Sequence, residues 1–124
     1  MLGKLPDAAG RAESKRELLE RAKSRLDRLS YYPRPVRIDR VRILVSPRLF
    51  KLPWFRQFDG YAAWGAIFLR EPPAPHYEDL VCHELCHVWQ MQHRPLAMPL
   101  SYLRTGYDRN PYEAEARRAV AETS

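Results

Sequence analysis

The placement of proline constrains this chain more than any other feature. Eleven of its 124 residues are proline. Each lacks an amide hydrogen and pushes the residue before it out of helical geometry, so their clusters end regular elements. From Tyr77 to Gln92 there is neither proline nor glycine. Glu78 and Asp79 open that stretch, where the positive end of a helix favours acids, and Leu80, Val81, Leu85 and Val88 give it apolar positions. The spacing predicts a helix over 77–92.

The flanking segments are shorter and more varied. Over 10–30, Leu18, Leu19, Ala22, Leu26 and Leu29 recur at intervals of three and four among charges, the stripe of an amphipathic helix. Tyr31-Tyr32-Pro33-Arg34-Pro35 ends it. Strands are expected across 36–70. Val36 to Ser46 is β-branched and alternates charged with apolar residues (Arg40, Val41, Arg42, Ile43), and Asp59-Gly60 signals a turn. Tyr61 to Arg70 then reads as one strand carrying Trp64, Ile67, Phe68 and Leu69. Pro72, Pro73 and Pro75 force a loop, and Pro95 and Pro99 interrupt whatever follows the 77–92 helix. A last helix over 111–122 has Asn110 as its cap and Pro111 in its first position.

No repeat or boundary divides residues 1–124, so the expectation is one α+β domain. A short sheet packs on the 77–92 helix, with one helix before and one after, and Trp64, Phe68 and Trp89 belong to the core. Hydrophobic residues make up 45% of the chain, with three Trp, seven Tyr and four Phe, which excludes a disordered polymer. The net charge of +6 is spread from Arg11 to Arg118 without an uninterrupted basic run, which argues against a nucleic-acid partner. No apolar leader segment lies in residues 1–15 and no run of about 18 apolar residues occurs, so a cytoplasmic protein with no transmembrane segment is expected.

The helix carries chemistry in His83-Glu84-Leu85-Cys86-His87. Residues four apart share a helix face, so both imidazoles can reach one zinc ion, with Glu84 one position round from the first. In such a site zinc acidifies water and polarises a carbonyl, and the glutamate removes the water's proton. Cys82 and Cys86, the only cysteines, lie on a face turned by about 100° from the histidines, given 3.6 residues per turn. They read as reduced core thiols rather than ligands or a disulfide. A catalytic zinc needs a third protein ligand, and His93, His76, Glu113 and Glu115 are the candidates. His93 has the spacing of HExxHxxGxxH, but Gln90 stands where that pattern has its turning glycine. Glu113 is also placed to reach back to the cap amide at Asn110.

The combination of HELCHVWQ with NPYEAEAR resembles gluzincins, the HExxH zinc peptidases typified by thermolysin, and above all their very small members, the minigluzincins. The likeness covers about 62–121, and only HExxH within it is highly specific. It implies a zincin-like domain that hydrolyses peptides or proteins, with Zn2+ on His83, His87 and Glu113 and with Glu84 as general base. In these enzymes the third ligand often stands in ExxxD. Here the fifth position is Arg117, so the acid that supports a histidine ligand there is lacking. The resemblance also implies that an extended substrate pairs with Ala66 to Arg70. Tyr102, Tyr107, Tyr112 or an unused His93 can supply the oxyanion donor. Two other readings compete: a zinc-stabilised interaction module without turnover, and a SprT-like zinc protein acting near nucleic acid with His93 as third ligand.

Overall fold

In a computed structural model of the chain, the backbone is described for residues 4–124 and the side chains for residues 15–124. Among these, four helices and a three-stranded mixed sheet make a small α+β domain. Helix α1 spans Lys4–Leu26, strand β1 Arg42–Val45, β2 Gly60–Ala63 and β3 Ala66–Leu69. Helices α2 (Glu78–His93), α3 (Ala97–Thr105) and α4 (Pro111–Thr123) follow. The expected start of the first helix near Gly10 lies where no side chain is described.

Helix α2 is the hub, packed by α1 and α4 and, on another side, by the sheet. Its buried set, Val81, Cys82, Leu85, Cys86, Val88 and Trp89, meets Leu18, Leu19, Ala22 and Leu26 of α1 and Ile67 and Leu69 of β3. Both cysteines are free and fully buried. The Tyr31–Pro35 segment closes over Trp89. The indole N–H donates to the Arg34 carbonyl at 2.7 Å, and Tyr32 meets the indole edge to face.

Sheet order is β1-β3-β2, with β1 parallel and β2 antiparallel to β3. The expected single strand over 61–70 is therefore a hairpin. Ala63 pairs with Ala66 across a turn made by Trp64 and Gly65, while Gly60 belongs to β2 instead of forming the turn. Trp64, expected in the core, lies exposed at the hairpin tip. The central position of β3 also means that Ala66–Leu69 is paired on both sides and cannot receive a further strand.

The strand expected over 36–46 is reduced to Arg42–Val45. Val36, Ile38 and Val41 are all buried, which a single strand of period two would not allow; a turn at Asp39-Arg40 shifts the phase between Ile38 and Val41. Their backbone, however, bonds mostly to side chains: Arg37 exchanges two hydrogen bonds with the Gln92 amide, and the Lys23 ammonium donates to the Val36 carbonyl. Helix α3 was not expected. Pro99 is its third residue, inside the first turn, where amides have no intrahelical acceptor and a proline costs little. Gly106 ends it with φ +72°, a conformation that favours glycine.

Arg25 joins three helices. It is buried, and its guanidinium donates to Asp79 at 2.7 Å and Glu78 at 3.2 Å in the first turn of α2. It also donates to Thr123 Oγ1 and the Val120 carbonyl of α4, both at 3.1 Å. Arg25→Ala is expected to lower the unfolding free energy by roughly 1.5–3 kcal/mol, the usual worth of hydrogen bonds to charged groups. Urea denaturation of the two proteins, with unchanged far-ultraviolet circular dichroism, checks this.

Candidate metal centre

His83 and His87, one turn apart on α2, project from the same face, and their Nε2 atoms lie 3.2 Å apart. Glu113 of α4 points its carboxylate at both. Oε1 is 2.7 Å from His83 Nε2, and Oε2 is 2.9 Å from His87 Nε2. One donor atom from each residue lies within 4.8 Å of the others. Two ligand nitrogens about 2.05 Å from zinc at a tetrahedral angle stand about 3.3 Å apart, so the imidazole spacing fits that ion.

Helix α4 delivers Glu113 through its cap. Asn110 Oδ1 accepts from the Tyr112 and Glu113 amides, which fixes the first turn. The Glu113 side chain does not fold back to the Asn110 amide, which donates to the Tyr107 carbonyl. The carboxylate is instead buried and held by four partners, the two histidines and the hydroxyls of Tyr107 (2.8 Å) and Tyr102 (3.2 Å). Burial works to raise its pKa, but hydrogen bonds from His83 and His87 and the charge on those rings outweigh it. They hold the carboxyl far below the usual carboxylate range. For His87, burial opposes the charged form, but the bond to Glu113 and the nearby Glu84 outweigh it and raise its pKa. The cluster therefore favours positive charge at its centre, whether a proton or a metal.

Gln90 decides which imidazole nitrogen faces that centre. The Gln90 amide nitrogen donates to the Tyr112 carbonyl at 2.8 Å and to Glu115 at 3.1 Å, so its oxygen faces His87 Nδ1 at 2.8 Å. Nδ1–H is thereby the donor, and Nε2 is turned toward His83 and Glu113. This is the support that an acid at position 117 does not provide. Arg117 lies 3.8 Å from Glu113 and over the Tyr107 ring. The signal in the sequence is the i, i+3 spacing from His87 to Gln90, which puts the amide beside the imidazole on one helix face.

Glu84 is buried beside the cluster, and desolvation raises its pKa despite the nearby imidazoles. It meets β2 where Gly60 has no side chain. A Cβ there would lie 3.3 Å from both Glu84 Cγ and Oε2, so the glycine leaves the carboxylate its place against the strand. Two cavities share Glu84 and Glu113 in their walls. One, of about 490 Å³, is walled by aromatic residues including Phe55, Tyr61, Trp64 and Tyr102. The other, of about 420 Å³, is more polar and reaches His83, Asp59 and Arg117.

The remaining candidates lie elsewhere. His93 closes α2, where its ring stacks on Tyr32 and bonds the Trp89 carbonyl through Nδ1. Glu115 accepts from Tyr32 and Gln90, and His76 is exposed against Tyr77. Tyr112 contributes its carbonyl to Gln90, while Tyr102 and Tyr107 reach the cluster.

No protein-family model, curated protein or solved structure matches this chain. Gln90→Leu is expected to weaken divalent-metal affinity by about 10–100-fold, the usual cost of losing a partner that orients a ligand. His93→Ala is expected to leave it unchanged. Competition titration against a chromophoric chelator measures both.

Proposed function

We propose that the protein is a zinc-dependent metallopeptidase hydrolysing peptide bonds in peptides or proteins. One observation carries this reading: two imidazole nitrogens and a buried carboxylate, from two helices, converge beside a buried glutamate on the wall of a cleft. His83, His87 and Glu113 would hold the ion, an N/N/O set of the kind catalytic zinc sites use. Bound there, zinc supplies a Lewis acid that polarises a carbonyl and acidifies water.

The other roles belong to side chains and backbone. Glu84 takes the proton of the attacking water and returns it to the leaving amine. Its raised pKa brings it nearer to neutral pH, where a general base works best. Tyr102 and Tyr107 stay protonated, because burial and the Glu113 charge both raise their pKa values. Both residues line the cleft, but each phenol has one proton and donates it to Glu113, so either would serve a developing oxyanion only by turning away from that carboxylate. An extended substrate is best received by β2 (Gly60–Ala63), the sheet edge that lines the cleft, through strand addition. That role moves from Ala66–Arg70 to β2 because β3 has no open edge.

Metal analysis and hydrolysis of a quenched fluorescent peptide library test the reading on wild type, Glu84→Gln and Glu113→Ala. The wild type is expected to bind zinc and cleave, and to lose activity to a chelator and recover it with zinc. Glu84→Gln keeps zinc while turnover falls by roughly 10²–10⁴-fold, the share ordinarily due to general base catalysis. Glu113→Ala loses zinc affinity. Zinc kept by Glu113→Ala but lost by His93→Ala would transfer the ligand to His93. Zinc without cleavage would leave an interaction module, and a wild type that cannot be loaded with metal would refute the proposal altogether.

A further inference from the structure

Two surface segments flank the mouth of the larger cleft. Residues 48–58 expose Leu52 and Trp54, the latter by 82%, and residues 94–107 expose Leu96 (70%), Leu100 and Leu103 (84%). Trp54 and Leu103 both line the cleft, so the segments share one rim. Leu96, Leu100 and Leu103 recur at four and three residues and form one stripe on the outer side of α3. Trp64 bridges the two, half exposed at the hairpin tip, with its indole N–H donating to the Pro95 carbonyl at 3.1 Å. Large apolar side chains gathered on one face of a domain mark a contact with a macromolecule or a membrane.

Charge separates those alternatives. Residues 48–58 contain Arg48, Lys51 and Arg56 and no acid, and residues 94–107 contain Arg94 and Arg104 and no acid. All five cations are exposed, and none is in an ion pair with any described residue. On α1 and α4 the surface cations Arg16, Arg21, Lys23 and Arg118 each face an acid, while Arg34, Arg37, Arg40, Arg42 and Arg109 elsewhere are exposed without an ion pair to any described residue, as the five rim cations are. Exposed Trp and Leu in two segments whose only charges are unneutralised Arg and Lys match the boundary between anionic headgroups and acyl chains, where indole and leucine enter the apolar side and guanidinium groups meet phosphate.

We propose that this rim docks on an anionic membrane surface, with Leu52, Trp54, Leu96, Leu100 and Leu103 entering the interface and the five cations against lipid phosphates. The cleft mouth then faces the membrane. Docking needs no metal. Only its consequence, that cleaved chains are presented at a lipid surface, rests on the peptidase reading.

Cosedimentation of the full chain with phosphatidylcholine vesicles, with and without phosphatidylserine, tests the docking. Binding is expected to the mixed vesicles only, to fall as salt is added, and to shift tryptophan emission to the blue. The double variants Trp54→Ser/Leu103→Ser and Arg56→Gln/Arg104→Gln are each expected to lower the partition coefficient about tenfold or more, with circular dichroism and thermal midpoint unchanged. Glu84→Gln should bind vesicles as the wild type does, which separates docking from turnover. No binding to mixed vesicles at low salt, or undiminished binding by both double variants, overturns the proposal. So does a wild-type dimer that Trp54→Ser/Leu103→Ser dissociates while vesicles bind neither protein.

Discussion

The Glu113 carboxylate is the constraint on which the rest of the site depends. An ionised carboxylate withdrawn from water is costly unless its oxygens are met by donors or positive charge. Here the partners come from three places: His83 and His87 on α2, Tyr102 on α3 and Tyr107 in the connection to α4. Meeting that demand sets the register of α4 against α2. It also gives α3 a function in the fold, because a chain passing directly from His93 to Asn110 would bring no phenol to the carboxylate. Gly106, with its positive φ, lets the chain leave α3 sharply enough to return to Asn110, whose side-chain amide also donates to Ser101 of α3 at 2.8 Å.

The same constraint orders the surrounding polar groups into a chain. Tyr32 and Gln90 share Glu115, Gln90 orients His87, and His87 meets Glu113. Each contact fixes the direction of the next, so the imidazole facing the cluster centre is set by groups on α4 and in the Tyr31–Pro35 segment. Such a buried network rigidifies when complete and is costly when any member lacks its partner. Glu84 stands outside it, against Gly60 and the cleft.

The helical part of this arrangement was legible in the sequence and the extended part only roughly. The run from Tyr77 to Gln92 and the Asn110-Pro111 start specify α2 and α4 because local signals and the burial pattern agree there. The meeting of Glu113 with His83 and His87 could be expected from a resemblance and from the inward face that Glu113 shares with Ala116. Spacing alone left His93 open. The turn at Trp64-Gly65 is not visible in the sequence, since an aromatic residue in an apolar run looks like strand interior, while Asp59-Gly60 carries the stronger turn composition. Gly60 is required by its neighbour Glu84, a long-range contact that a local window cannot see. Helix α3 was hidden because Pro99 reads as a breaker, although a first-turn proline breaks nothing.

Small size links the cleft to the exposed rim. With one three-stranded sheet and α2 at the centre of the described structure, the cluster of His83, His87 and Glu113 lies beside an open cleft. The cleft wall is built from the 48–58 loop and α3, which are held mainly from below. Phe50 is buried, the Arg70 guanidinium lies 5.4 Å over its ring and donates to carbonyls of Phe55, Arg56 and Phe58, and Met98 anchors α3. A loop and a helix each supported on one side must turn their other side outward, and in this chain that side carries Leu, Trp, Arg and Lys. The membrane contact proposed for this rim would cover those apolar side chains and meet those cations.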